Sequence, residues 1–127
     1  MREILFRGKS VNTGEWIIGD YEHFYLSDGE LVVYISEWGK RNDKVLPNTV
    51  GQYTGLTDKN GKKIFEGDIV RLYHSDGFEE IGAIGWSNID VRYKFASSDG
   101  FAYGIDVTDV FEVIGNIHDN PELLKGE

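Results

Sequence analysis

Apolar side chains occur along this chain in short bursts, each followed within a few residues by a polar stretch that carries glycine. In DVRYKF, Val91, Tyr93 and Phe95 alternate with Asp90, Arg92 and Lys94. That period of two puts the first set on one face of a strand and the second on the other. ELVVYIS is short and β-branched, as a strand should be. No long segment carries an i, i+3, i+4 apolar stripe, so long helices are not expected. The punctuation agrees. SDG occurs at 27–29, 75–77 and 98–100, and aspartate–glycine suits the positive-φ positions of tight hairpin turns. The strands flanking these tripeptides differ, so they are one turn chemistry used three times and not a repeat.

Taken in order, the pattern predicts strands in REILFR, in EWIIGDYEHFYL with Gly19 as a bulge, and in ELVVYIS. EWGKRNDKVLPN (37–48) is polar, contains Pro47 and reads as a joining loop. Strands resume in TVGQYTG, GDIVRLYH, FEEIGAIGWS, NIDVRYKFA, FAYGIDV and VFEVIGNI. DNPELLK predicts a short helical turn, with Asn120 as N-cap, Pro121 first and Glu122 near the positive helix end. The fold class is therefore all-β. Residues 1–48 are expected to form an N-terminal β-hairpin extension and loop, and 49–127 an SH3-like small barrel. So few N-terminal strands do not bury a core alone. They are expected to pack on the barrel or on a second copy of the chain, and their edges make self-association a prospect.

Composition narrows the chemistry. The chain has 127 residues, 16 glycines, two prolines and no cysteine, which excludes disulfides, thiolate metal sites and cysteine nucleophiles. No apolar run approaches the ~20 residues of a membrane span, and no signal-peptide pattern opens the sequence, so a soluble cytoplasmic protein is expected. The formal net charge is −9, a field that repels phosphate backbones unless cations are segregated. Residues 99–127 set seven acidic groups against Lys125 alone, whereas 58–75 carry Lys59, Lys62, Lys63 and Arg71 against three acids. The acidic third is read as a solvated face, with a surface for a basic partner as the sharper alternative.

The candidate loop is YTGLTDKNGKKIFEGDIVRL (53–72). Its spacing does not fit G-x-x-x-x-G-K-[ST], and no helix follows to hold a phosphate. Gly55, Gly61 and Gly67 are too far apart for a dinucleotide fingerprint. Asn60–Gly61 reads as a turn, and Gly67–Asp68 as a strand entry in which the aspartate accepts nearby backbone N–H groups. His23, His74 and His118 show no metal-ligand spacing. His74 with Asp76 could seed a site, but that aspartate already belongs to an SDG turn. Glu79–Glu80 is an acid/base pair only if a pocket shifts it. No catalytic, cofactor-binding or metal-ligating residues are therefore expected. Trp38, in the polar SEWGKRNDK, either folds back onto the barrel or stands out as an interface anchor.

Three segments carry a family resemblance. QYTGLTDKNGKKIFEGDIV closely resembles the signature segment of the YopX family, small proteins encoded by phages and prophages. REILFRGKSVNTGEWIIGDY is similar to that family's N-terminal strand and hairpin, and FEVIGNIHDNPELL to its C-terminal strand and helical turn. The resemblance implies an SH3-like barrel with an N-terminal β extension, a phage-associated origin in a bacterial host, and no catalytic residues to carry over. The leading expectation is a non-catalytic accessory protein that meets a phage or host protein, with Trp38, Lys59, Lys62 and Lys63 as interaction residues. A nucleic-acid-associated barrel using basic loops 40–44 and 59–63 is the alternative, nucleic acid being the less favoured partner. An uncharacterised hydrolase seeded by His74 is the third.

Overall fold

The computed structural model describes residues 3–125. Among these the chain forms β1 (Phe6–Lys9), β2 (Trp16–Tyr25), β3 (Leu31–Glu37), β4 (Arg41–Val45), β5 (Gly51–Thr57), β6 (Lys63–Phe65), β7 (Asp68–Tyr73), β8 (Glu79–Ser87), β9 (Arg92–Ser97), β10 (Ala102–Gly104) and β11 (Val110–Asn116). Its only helical pieces among the described residues are the 3-10 turns Pro47–Thr49 and Pro121–Lys125. The all-β class is therefore correct. Of the expected first strand, Arg2 lies outside the described residues, and pairing begins at Phe6. The chain divides into two compact units, Met1–Tyr53 and Thr54–Glu127.

In the first unit β1 to β4 pair as antiparallel neighbours in sequence order, and the start of β5 adds to the other side of β1. The open side of β4 does not stay open. Ser10, just past β1, bridges Val45, the Val11 N–H donates to the Lys44 carbonyl at 2.9 Å, and the Leu46 N–H donates to Lys9 at 2.9 Å. The four strands thus close on themselves. Gly8 permits it: a Cβ there would sit 2.8 Å from the Val45 side chain. Ile17, Val33, Ile35 and Val45 fill the interior, with Phe6, Leu31 and Val50 packed against them.

Two expectations are corrected here. Residues 37–48 are not a loop, because β4 runs through Arg41–Val45. Its inward positions opposite Glu37, Ile35 and Val33 are Arg41, Asp43 and Val45. Two of those three are charged, so the strand shows no apolar alternation. The charges are tolerated because Arg41 donates from Nε and Nη2 to the two oxygens of Asp43, each at 2.9 Å, and Ser10 Oγ donates to Asp43 at 3.2 Å. Secondly, the N-terminal strands are more than a hairpin and bury a core of their own.

In the second unit an antiparallel sheet runs in the order β10-β9-β8-β7-β11. Ile64, Val70, Leu72, Ile84, Phe95 and Phe111 form its core, with Leu56, Ile105 and Val113 beside them. The glycine-rich stretch builds one wall. Asp58, only 7% exposed, accepts the N–H groups of Asn60 and Lys62 inside its own turn and that of Val113 across the unit, at 2.9, 2.9 and 3.0 Å. With the Lys59 N–H donating to the Phe111 carbonyl at 2.8 Å, the turn is clamped onto β11. Gly67 takes φ 95°, and the buried Asp68 accepts the Phe65 N–H at 2.7 Å. The stretch is turn and strand entry, as its residues indicate.

Four hairpin loops share one hydrogen-bond pattern: 26–30, 58–62, 74–78 and 97–101. In each the first residue donates to the fifth, and a glycine at the fourth position, with φ between 82° and 97°, donates back to the first. This is a three-residue loop ending in a glycine bulge, for which Asp-Gly and Asn-Gly are fitted. One strand assignment shifts: β9 starts at Arg92, and Val91 sits in the preceding turn at φ 53°. Asn120 stands at the N-cap position of the last turn, its carbonyl accepting the Leu123 N–H at 3.1 Å, but its side chain reaches backwards. That side chain accepts the Asn116 N–H at 3.2 Å.

Candidate functional site

The four interaction residues are placed as follows. Trp38 occupies the tight turn between β3 and β4, where Lys40 N–H donates to the Glu37 carbonyl and Gly39 takes φ 76°. Its side chain is 91% exposed, so it does not fold back. Lys59 lies over the Tyr73 ring, Nζ 4.5 Å from the centroid. Lys62 is exposed beside Asp58, and Lys63 is half-buried at the start of β6. The structure therefore brings the three lysines to one turn but sets acids among them. In the other basic segment Lys40 pairs with Glu37 at 3.4 Å, and Arg41 with Asp43 and Glu15 at 2.9 and 3.2 Å.

Acids near these cations show the effect. Burial works to raise Asp58, but the N–H groups of Val113, Lys62 and Asn60, with the charge of Lys62, hold it below the usual aspartate range. Glu112 is held low chiefly by the Tyr73 hydroxyl, which donates to it at 2.6 Å; burial opposes this, and the charges of Lys59 and Arg71 add to the lowering. Asp43 is held low chiefly by its Arg41 hydrogen bonds.

A different constellation forms where sequence reasoning stopped at single residues. Leu72 lies opposite Glu80 and Tyr73 opposite Glu79, so the two glutamates point to opposite faces. Glu79 stands on the outer face within 3.5 Å of Arg71. Glu80 points inward, its side chain 6% exposed, 2.6 Å from His74 Nε2. Tyr103 also hydrogen-bonds Glu80. Burial raises the Tyr103 phenol above its ordinary value, and the charges of Glu80 and Asp99 add to that. Phe78 stacks on His74 with centroids 5.4 Å apart. Asp76 accepts the Phe78 N–H within its turn, as its place in the SDG tripeptide indicates, and does not join His74.

Strand register puts the group on one face. His74 is opposite Phe78, Gly82 is opposite Ser97, Ser97 is opposite Phe101, and Phe95 is opposite Tyr103. Opposed residues and residues two apart share a face. His74, Phe78, Glu80, Phe101 and Tyr103 thus continue the face that holds Leu72 and Phe95 in the core, at the end of the sheet where two SDGF hairpins lie. Phe78 is 57% and Phe101 64% exposed. One signal was available in the sequence. Glu80 is in phase with Gly82 and Ile84, the buried positions of β8.

A family model described as YopX protein matches residues 5–125. The chain belongs to the YopX family. Among solved structures, this YopX-family chain is similar to protein yopX from Bacillus subtilis, with a TM-score of 0.59 and 15% identity over 100% of this chain and 99% of that one. It is also similar to protein EF1440 from Enterococcus faecalis, with a TM-score of 0.56 and 22% identity over 98% of this chain and all of that one. At such identities the likeness shows the fold. No curated protein matches the chain. Among the described residues no helix is long and apolar enough to cross a membrane.

Proposed function

We propose that this YopX-family chain is a non-catalytic accessory protein of a phage or prophage, acting in the host cytoplasm as a protein-interaction module. Trp38 carries the reading. A tryptophan buries a large apolar area when it docks, and here 91% of its surface is left to solvent at the tip of a hydrogen-bonded hairpin. Tryptophan is among the residues that most often dominate binding energy at interfaces. The ion pairs of Lys40 and Arg41 and the stacking of Lys59 on Tyr73 weigh against a phosphate-binding role for the basic loops, since those cations are already committed to neighbours. A hydrolase built on His74 would need a nucleophile or a water beside that ring. Its Nε2 is spent on Glu80 and its face on Phe78, which supports the non-catalytic reading.

The test is an affinity pull-down from infected or induced host cells with wild type and Trp38→Ala in parallel. A protein retained by the first and lost by the second is expected. Identical retention by both overturns Trp38 as the anchor, and with it the observation on which the reading stands.

A further inference from the structure

We infer that the end of the second unit's sheet bearing Glu80, His74, Phe78, Phe101 and Tyr103 is a binding site for an arginine side chain presented by a protein partner. The inference rests on the interaction reading but uses a surface in the other unit from Trp38.

Three observations support it. Glu80 is a carboxylate withdrawn from solvent, its side chain 6% exposed. It offers about four acceptor directions, of which His74 and Tyr103 use two. The described structure provides no arginine or lysine for it. The basic groups nearest in register, Arg71 and Lys94, are bound elsewhere: Arg71 to Glu79 and Glu112 on the outer face, Lys94 to Asp90 at 2.6 Å. An anion in a poorly solvated position attracts a cation more strongly than an exposed one does.

The second observation is the aromatic frame. Two hairpins of the same sequence and geometry, SDGF at 75–78 and 98–101, bring Phe78 and Phe101 to the same end and face as Glu80, and both rings remain more than half exposed. Ring faces attract cations and the planar guanidinium stacks on them, while its forked N–H groups match a carboxylate. A bare hydrophobic anchor would not need Glu80, and an anionic ligand would be repelled by it. The third observation is the field. The second unit holds 14 of the 22 acidic residues but seven of the 13 lysines and arginines, which favours approach of a basic partner.

NMR titration of the full isotope-labelled chain tests this with three probes: N-acetyl-arginine amide, its uncharged isostere N-acetyl-citrulline amide, and free arginine. The blocked arginine should give saturable shifts of the amides around 74, 78–80, 101 and 103, in the millimolar range expected of a single side chain, and citrulline at least tenfold weaker ones. Glu80→Gln should remove the response, and Phe78→Ala with Phe101→Ala should weaken it several-fold. An equal response to citrulline, shifts centred elsewhere, or none overturns the site. Tighter binding of free arginine than of the blocked form overturns the protein partner and leaves a small-molecule site. The wild-type contrast decides the matter even if Glu80→Gln fails to fold. These outcomes do not depend on Trp38, so the site and the interaction reading can fail separately.

Discussion

The two units solve the same problem with different chemistry. Each must finish a small antiparallel structure without leaving a strand edge open to other chains. The first unit does it with backbone: Ser10 and Val11 pair with β4, and the charges on β4 are settled by the half-buried Arg41–Asp43 pair. The second covers its β11 edge and braces its strands with buried carboxylates: Asp58 ties a turn onto β11, and Asp68 ties β7 to β6. A backbone closure depends on packing and is nearly indifferent to pH. A carboxylate closure depends on a proton staying off. The lesson is that a charged side chain inside a small β structure can stand in for a missing strand.

The comparison breaks first, if it breaks, at the cores. Phe95 and Ile35 are fully buried, one in each unit. Truncating Phe95 to alanine should cost about 3–5 kcal/mol, and Ile35 about 2–5 kcal/mol. Hydrogen exchange should show Phe95→Ala lowering protection most in β7 to β9, and Ile35→Ala most in β2 and β3. Equal losses in both places would mean that the cores unfold as one cooperative body.

Next in size is Asp58. Asp58→Ala strands three N–H donors, at a cost of about 2–4 kcal/mol for the set, read from chemical denaturation midpoints. Asp43→Ala should cost less, because Arg41 is partly exposed and keeps its pair with Glu15.

The pH dependence follows from the same contrast. Asp58 titrates lower in the folded chain than in the unfolded one. Its contribution is fully present above the ordinary carboxylate pKa and is lost as the pH falls through the depressed folded value, so stability should fall from about pH 4 downwards. Asp43 and Glu112 contribute with the same sign. Salt separates them: the Asp43 share should shrink in ~1 M salt because its partner Arg41 is partly exposed and can be screened, whereas that of Asp58, made of backbone hydrogen bonds, should persist. Denaturation midpoints of wild type and Asp58→Asn between pH 5 and 2, at low and high salt, measure this. A slope unchanged in Asp58→Asn would assign acid loss to other carboxylates.

What the sequence made legible follows the range of the interactions. The SDG hairpins, the Asn60–Gly61 turn and the Gly67–Asp68 entry were readable because each contains a defining hydrogen bond between residues within five of one another. β4 was not, since its inward Arg41 and Asp43 satisfy each other and leave no apolar period. The closure of the first unit was hidden because it rests on Gly8 meeting Val45, 37 residues apart in the sequence. The Glu80 site was half visible. Its phase with Ile84 marks a buried carboxylate, but its contacts with His74 and Tyr103 come only from the register of β7, β8, β9 and β10.

The smallest predicted effect concerns Val91. Alternation places it in a strand with Tyr93 and Phe95, and the chain instead holds it at φ 53°, 69% exposed, in the turn between β8 and β9. A β-branched residue in the left-handed region is strained by about 1–2 kcal/mol, and at this exposure little burial offsets it. Val91→Gly removes the clash but adds freedom to the unfolded chain, which returns part of the gain. Val91→Asn keeps a side chain that tolerates the region. Val91→Asn should therefore stabilise by about 0.5–1 kcal/mol, and Val91→Gly by somewhat less, read as shifts in denaturation midpoint. If both substitutions destabilise the chain, Val91 contributes contacts that outweigh its backbone strain, and the hairpin tip is then part of the second unit's packing.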